Sequence, residues 1–569
     1  MYYHLYFYDI CNILSKSNEN IYFYATIGKR GVMKISREES IGYQIYLKSF
    51  KDSNNDGIGD INGVIEKLDY IKSLGVDFIW LSPFYDSPMD DNGYDIRNYY
   101  KILKEYGTMQ DVDNLIKKAH SLGIKVVADL VLNHTSNEHE WFIKSENNEK
   151  GYEDFYYWKK GKVVTGQMVE PNNWQSIFGG PAWQYSEKRK EYYLRIFSKK
   201  MPDINYNSNF ALNKVKEVIS FWAKKGIDGF RVDAISHIAK DETFSDAANS
   251  SYGKYSNREK VHTFLSQIAS EWQKYDMLSL GELGRDSTLK DFRNFCSKKS
   301  KELSAIFEFS IINLFDFESY SYDIKDLFNS LKLKQKIAEN GGCPVLFWTN
   351  HDYPRVASMF GSKKFWNKSC SALACLMYLL KGMPIIFNGE EIGMTNYHFQ
   401  NINDFDDVNA KTLLSLAKTD EEKNRVFENL KLTSRDNART MMQWNDNKNA
   451  GFTDATPWFR VNDNYKQVNV EAQDKQQDSV LNEYRKILAL RSINKDVFCY
   501  GKTKFGRLKG NVIKYTRIAS GKKCLVVVNL SDDTVATKLP KGETLYCNYD
   551  SPLTNALSPY EARVINISK

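Results

Sequence analysis

The sequence predicts an α/β fold: a (β/α)8 TIM barrel with a subdomain inserted after its third strand and a C-terminal antiparallel β-sandwich. Three observations predict it. Eight short β-rich runs recur along the chain with longer helical patterns between them, the count for a closed barrel. The third and fourth runs lie about a hundred residues apart, roughly twice the usual spacing, so a folded insert separates them. Near the C-terminus the helical texture gives way to alternating segments over 510–517, 523–530 and 563–567.

The predicted strands are 42–47, 77–81, 125–132, 228–233, 277–281, 304–310, 344–349 and 384–388. Helical periodicity occupies 61–74, 109–122, 214–225 and 260–275, and Gly75, Gly123 and Gly226 stand where C-terminal caps belong. An open doubly wound sheet is the alternative, but no Gly-x-Gly-x-x-Gly follows the first strand. Residues 33–133 and 207–496 are thus assigned to the barrel. Residues 134–206, rich in Trp, Tyr, Asn and Gly, form the insert over the pocket mouth, and 497–569 form the sandwich. Residues 1–32 read as a disordered extension ahead of a natural start at Met33. Their aromatic opening, Met1-Tyr2-Tyr3-His4-Leu5-Tyr6-Phe7-Tyr8, lacks the basic segment and aliphatic core of a secretory signal.

Composition excludes several classes of function. Of 569 residues 42% are apolar and 26% charged, which is ordinary for a globular chain. The net charge of +7 is spread among interleaved Lys, Asp and Glu with no basic stripe, so a nucleic-acid partner is not expected. No stretch of about 18 apolar residues predicts a membrane span. The eight cysteines form no Cys-x-x-Cys pair, which predicts reduced thiols, a cytoplasmic location and, for a chain of this size, no need of disulfides. A monomer is expected. The 36 Tyr, 32 Phe and 11 Trp suit sugar stacking, although core packing accounts for most of them.

Three acidic residues carry the chemistry. Asp233 ends Gly229-Phe230-Arg231-Val232-Asp233, Glu282 ends Leu278-Ser279-Leu280-Gly281-Glu282, and Asp352 follows Phe347-Trp348-Thr349-Asn350-His351. In a parallel barrel the C-terminal strand ends gather around one pocket. Several carboxylates there suit cleavage of a glycosidic bond, which needs a nucleophile and an acid about 5–5.5 Å apart for retention of configuration. Arg231 lies two residues before Asp233, on the same strand face, and is expected to keep it ionised. Glu282, in a mostly apolar run, suits the acid, and Asp352 the stabilisation of oxocarbenium charge. Taken singly, each is equally readable as a helix cap or a paired surface group.

Asp129-Leu130-Val131-Leu132-Asn133-His134, Gly229 to Ala234, Gly281-Glu282 and Asn350-His351-Asp352 resemble, in order, the signature segments of the α-amylase superfamily (glycoside hydrolase family 13). The resemblance runs from about Gly42 to the C-terminus. It implies Asp233 as nucleophile, Glu282 as general acid/base and Asp352 as transition-state stabiliser. It implies hydroxyl binding by His134, Arg231 and His351, and a structural place for Asp129. Finer segments resemble the oligo-1,6-glucosidase and α-glucosidase branch. In Asp91-Asn92-Gly93-Tyr94-Asp95-Ile96 the resemblance implies that Tyr94 stacks on the terminal glucose and Asp95 binds its distal hydroxyls. In Ser434-Arg435-Asp436-Asn437-Ala438-Arg439-Thr440 it implies an arginine against that aspartate, Arg439 first and Arg435 second.

Such a pair would close the pocket floor and make a retaining exo-acting α-glucosidase. Its substrates would be short malto- or isomalto-oligosaccharides, with sucrose a further candidate. Trehalose-6-phosphate hydrolase and sucrose isomerase are the alternatives within the superfamily. Catalytically dead transporter partners would lack part of the triad and carry a membrane span. Some positions depart from the branch pattern: Met441 and Leu47-Lys48 replace Pro and Pro-Arg, and Met201-Pro202-Asp203-Ile204-Asn205 departs from its Gln-Pro-Asp-Leu-Asn form. Ala234 stands where Val accompanies α-1,6 preference, which tilts the expectation towards α-1,4 or mixed activity.

A second site is readable from spacing. Asp52, Asn54, Asp56, Ile58 (by its carbonyl) and Asp60 place oxygens at alternate positions around Gly57, as in the first part of an EF-hand loop. The twelfth position is Gly63, so the bidentate Glu is missing and no EF-hand is assigned. An Asn/Asp/Gly turn is the simpler alternative; the branch resemblance implies a structural calcium.

Overall fold

The computed structural model describes residues 36–568 apart from 298, 317–320 and 520. The expected extension over 1–32, the start at Met33 and Cys11 lie outside the described residues. Eight parallel strands form the core: β1 Gly42–Ile45, β2 Phe78–Leu81, β3 Lys125–Val131, β4 Gly229–Asp233, β5 Leu278–Glu282, β6 Ala305–Phe307, β7 Val345–Leu346 and β8 Met383–Phe387. Each neighbours the next, and β8 pairs with β1 through Gly42 opposite Ile385. The ring closes between β6 and β7 by the single bridge Ile306 to Pro344, with the Ile306 amide donating to the Cys343 carbonyl at 3.0 Å. This seam is thin because Pro344 has no amide hydrogen to extend the ladder. The predicted strand 344–349 is accordingly reduced to two residues, and Asp352 lies in a turn beyond it rather than at a strand end.

The strands are apolar on both faces because helices cover them outside and side chains fill the barrel inside. Tyr43, Ile79, Trp80, Val127, Phe230 and Leu280 are fully buried. A residue of Val, Leu or Phe size contributes about 1.5–3 kcal/mol when withdrawn from water this completely. Gly42 admits the Phe78 ring, which would stand 2.3 Å from a Cβ at that position. The outer helices are α1 Ile61–Ser73, α2 Met109–Ser121, α3 Asn209–Lys225, α4 Lys260–Gln273, α5 Leu289–Cys296, α6 Ile324–Glu339, α7 Trp366–Tyr378 and α8 Val480–Ile493. Asp60 caps α1 through the Gly63 amide, and Thr108 with Asp111 forms a capping box on α2. Gly226 ends α3 in the left-handed conformation at φ 102°.

Between β3 and α3 the insert carries a three-stranded antiparallel sheet of Trp158–Lys159, Glu191–Leu194 and Trp183–Ser186 around a small core that includes Trp174 and Trp183. Between β8 and α8 a helical pair, Val408–Leu416 and Asp420–Thr433, rises beside the strand ends. Sequence periodicity had not singled it out. The C-terminal sheet has five antiparallel strands: β9 Lys502–Phe505, β10 Val512–Ala519, β11 Lys522–Asn529, β12 Glu543–Cys547 and β13 Ala562–Asn566. They run in the order β9-β10-β11-β13-β12. Tyr515 ties this sheet to α7 by donating to the Leu376 carbonyl at 3.0 Å. Among the described residues its second layer is the ribbon Val535–Ala536 with Ala556–Leu557, whose Leu557 packs on Val512 and Val527.

Among the described residues no helix is long and apolar enough to cross a membrane. The seven described cysteines are free, and all but Cys547 are buried.

Candidate active site

Strand register assembles the first half of the site. Asp129 on β3 lies opposite Arg231 on β4, which lies opposite Leu280 on β5. Arg231 and Asp233, two residues apart, therefore face the same way, and Glu282 closes β5 beside them. The Arg231 side chain is 1% exposed. Its Nη1 donates to Asp129 Oδ1 at 3.1 Å and Asp233 Oδ1 at 2.5 Å, and its Nη2 donates to Glu282 Oε2. Asp129 also accepts from Trp80 Nε1 at 3.2 Å and the Tyr94 hydroxyl at 2.9 Å, so its oxygens are taken beneath the pocket. One guanidinium thus serves three carboxylates.

The electrostatics of Asp233 differ from the expectation. Burial raises its carboxyl well above the ordinary range; Arg231 pulls it down, but Glu282 and Asp129 oppose that pull. A single cation cannot hold three anions fully ionised in a buried cluster, so protons stay with the cluster more readily than Arg231 alone would allow. Asp129 is likewise pushed up to about 6 by burial, against the pull of Arg231.

The second half is richer in cations. Asp352, 25% exposed, accepts from Arg435 Nη1 at 3.3 Å and Arg439 Nη2 at 3.1 Å. Burial pushes its carboxyl up, yet His351, Arg435 and Arg439 outweigh burial and hold it far below the usual carboxylate range. Arg435 Nη2 also reaches Asp91 Oδ1 at 2.8 Å, and its Nε reaches Asp407 Oδ1 at 2.7 Å. Arg439 Nη1 lies 3.7 Å from the same Asp407 oxygen.

Here the pairing drawn from resemblance needs correction. Asp95 is fully buried; the amides of Asp90 at 2.8 Å and Asp91 at 3.1 Å and the Ser87 hydroxyl at 3.1 Å take its oxygens. It shapes the loop and does not face an arginine. The aspartate that meets an arginine is Asp91, and the arginine is Arg435. Arg439 turns to Asp352 and to the His351 carbonyl at 3.1 Å.

Two histidines border these carboxylates. His351 Nε2 lies 3.3 Å from the ionised Asp352 Oδ2, which favours the ring proton on that side, and Nδ1 pairs with the Gln44 amide at 2.8 Å. Burial lowers its pKa to about 3, so the imidazole is neutral. The Tyr94 ring stacks on it with centroids 5.3 Å apart and planes 3° from parallel. His134, just past β3, is buried and bridges to Asp203 at the point where the insert returns. Ala234 follows Asp233 in the left-handed region at φ 45°, and its amide points at Glu282 Oε2 at 3.4 Å.

The loop over 52–60 is closed by its own hydrogen bonds. Asp52 accepts from the amides of Asn54 at 3.0 Å, Asn55 at 2.7 Å and Gly57 at 2.8 Å; Asp60 accepts from Ser53 and Gly63 at 2.8 and 2.7 Å. Asn55 at φ 64° and Gly57 at φ 91° supply the sharp bends. Among the described residues its three aspartates are not brought together as a group that could hold a metal ion. Each carboxylate has about four acceptor positions, so these bonds alone do not exhaust the loop's oxygens.

Sequence reasoning missed Asp91, Asp407 and Gln44 as members of the site. Asp91 lay inside a motif already singled out. Asp407 offered only a cap signal, the residue whose side chain accepts from the Ala410 amide at the start of Val408–Leu416.

The family described as alpha amylase, catalytic domain, matches residues 44–501. An oligo-1,6-glucosidase from Bacillus cereus is 40% identical over 558 residues, covering 93% of this chain and 99% of that protein. The crystal structure of Bacillus licheniformis trehalose-6-phosphate hydrolase superposes with a TM-score of 0.87 at 38% identity, covering 94% of this chain and 99% of that one. Isomaltulose synthase from Klebsiella sp. LX3 gives 0.87 at 36% identity, with 93% and 99% covered. With the barrel, the ordered carboxylates and this likeness along nearly its whole length, the chain belongs to the α-amylase family of glycoside hydrolases.

Proposed function

We propose that the protein is a retaining, exo-acting α-glucosidase that releases glucose from the non-reducing end of short α-glucosides. The observation that carries this reading is the sharing of Arg231 by Asp233 and Glu282. Two carboxyl groups on adjacent nitrogens of one guanidinium fit the short separation of retaining enzymes, about 5–5.5 Å, and leave no room for the water of an inverting one. Asp233 attacks the anomeric carbon while Glu282 gives its proton to the departing oxygen. A covalent glycosyl-enzyme results, and water, deprotonated by Glu282, then cleaves it. Asp352, held as an anion by Arg435 and Arg439, stabilises the positive charge that develops on the sugar ring. The neutral His351 and His134 line the site for the sugar hydroxyls, and Tyr94 presents an aromatic face.

The exo character rests on Arg435 held between Asp91 and Asp407 at one end of the site. This charged network presents a wall to the non-reducing end of the bound sugar. Linkage preference is assigned to Ala234, whose small side chain leaves space beside the leaving sugar and favours α-1,4 or mixed activity. The direct test is glucose release from maltose, isomaltose, sucrose and trehalose 6-phosphate measured side by side. Preferential turnover of trehalose 6-phosphate, or conversion of sucrose to an isomer without glucose release, would replace this reading by its relatives' activities. Asp233→Asn should fold normally and lower turnover by several orders of magnitude.

Three further properties belong to the same proposal. The protein acts as a monomer, and in the cytoplasm, the latter consistent with the seven described cysteines being free and, apart from Cys547, buried. The loop over 52–60 would take a structural calcium through Asp52, Asn54, Asp56, Asp60 and the Ile58 carbonyl, with its aspartates drawn closer together than they stand here. Calcium would supply only rigidity there.

A further inference from the structure

Lys48 is a half-buried cation that the proposed reaction does not use, at a position where the branch pattern has Arg. It lies in the turn Leu47–Ser49 just past β1, and its ammonium stands 3.7 Å from the centre of the Trp458 ring. Trp458 in turn packs on Tyr46, Phe387 and Ala438. From that seat Lys48 Nζ donates to Asn92 Oδ1 at 3.1 Å. An ammonium can only donate, so Asn92 must present its oxygen.

Asn92 is at the tip of a tight turn that carries two side chains of the site. The Tyr94 amide closes the turn on the Asp91 carbonyl at 3.1 Å. The two residues between them, Asn92 at φ 50° and Gly93 at φ 102°, are both left-handed, the φ signs of a type I′ turn, which Asn-Gly favours. At one end Asp91 accepts from Arg435 Nη2 at 2.8 Å; at the other the Tyr94 ring stacks on His351. A contact that pins the Asn92 side chain therefore fixes where both ends stand.

Burial lowers the Lys48 pKa to about 8; Asp406 and Asp436 favour the ammonium, and Arg439 and Lys411 oppose it. The Trp458 face attracts a cation and not a neutral amine, so the grip is strongest below that value.

We propose that Lys48 is a positioning residue that, braced on Trp458, holds the 91–94 turn against Arg435 and so sets the affinity of the site for the non-reducing-end sugar. The grip on the turn stands on these contacts alone; its use in sugar binding rests on the α-glucosidase reading above. Because the residue is Lys and not Arg, the grip can be released by alkali.

The test compares Lys48→Met, which keeps a side chain of similar length without the charge, with Lys48→Arg, whose charge persists to about pH 12. Near neutral pH, KM for maltose should rise about tenfold in Lys48→Met, the loss of one hydrogen bond and one cation–π contact, with a smaller change in kcat. Lys48→Arg should restore it. From about pH 7 to about pH 9.5 the wild-type KM should climb more steeply than that of Lys48→Arg. Asn92→Gly removes the acceptor but suits positive φ, and Lys48→Met should add little on top of it. Amide exchange over 91–94, followed by mass spectrometry without substrate, should quicken in Lys48→Met. An unchanged KM in Lys48→Met, unchanged exchange over 91–94, or equal alkaline rises in wild type and Lys48→Arg overturns the proposal; the last comparison decides even if Lys48→Met fails to fold. If the wild type releases no glucose while exchange still quickens in Lys48→Met, the α-glucosidase reading falls and the grip stands.

Discussion

Asp129→Asn isolates the electrostatic coupling beneath the catalytic pair. The Asp129 and Asp233 oxygens accept from one nitrogen, Arg231 Nη1, at 3.1 and 2.5 Å, so they lie within about 6 Å of each other. At an effective dielectric constant of about 20 this separation corresponds to about 3 kcal/mol of repulsion, or about two pK units. Asp129 is among the groups that raise Asp233. Removing its charge makes Asp233 easier to ionise. The acid limb of kcat/KM, which reports ionisation of the nucleophile in the free enzyme, should therefore move to lower pH by one to about two units. The introduced amide can still accept from Arg231, but the Trp80 Nε1 hydrogen loses its acceptor, at a stability cost of about 1–3 kcal/mol. The assay is kcat/KM for 4-nitrophenyl α-glucoside across pH, with the thermal midpoint recorded separately. An acid limb that stays in place while activity and stability both fall would show Asp129 to be a packing residue only.

Arg435→Lys removes the fork that spans Asp91, Asp352 and Asp407, and should raise KM for maltose at least tenfold while Asp352 stays ionised through Arg439, as initial rates would show. Ala234→Val places a β-branched residue at φ 45°, which should cost about 1–3 kcal/mol in urea unfolding; the isomaltose-to-maltose rate ratio should rise, and an unchanged ratio would refute the linkage assignment. Adding calcium to metal-stripped protein should raise the thermal midpoint, and Asp56→Ala should abolish that rise; an identical midpoint with calcium and with chelator would reject the ion.

The barrel was legible because its strands are apolar on both faces and bounded by glycine caps, signals that depend on neighbours in sequence. Where neighbours in space decide, the reading slipped. Helix α3 begins at Asn209, five residues before its apolar period becomes clear. Strand β7 is cut short by Pro344, whose missing amide matters only because a β6 residue lies across from it. Asp233 and Glu282 end their strands as their apolar runs suggest, whereas Asp352 sits in the turn beyond β7 and the partner of the pocket arginine was not foreseen. Asp91 and Asp95 are four residues apart in one turn, and the loop's own amides claim one of them. Asp407 comes from a helical pair outside the barrel repeat, and Ala234's positive φ leaves no trace in composition.

The distribution of charge across the site follows from how guanidinium groups are shared. Arg231 alone faces Asp129, Asp233 and Glu282. Arg435 and Arg439 together face Asp352 and Asp407, and Arg435 also faces Asp91. The first group has more anions than its cation can hold, and Asp233 and Asp129 are both raised; in the second the arginines hold Asp352 and Asp407 low, while burial still raises Asp91. A retaining mechanism needs this asymmetry: one side must hold an acid next to a nucleophile, and the other must remain negative as the sugar becomes positive. Two carboxylates of the same kind are thus given opposite tasks by the number of arginines beside them. An added cation near Arg231 would favour the nucleophile at the expense of the acid, and loss of both arginines beside Asp352 would leave burial freer to raise its carboxyl.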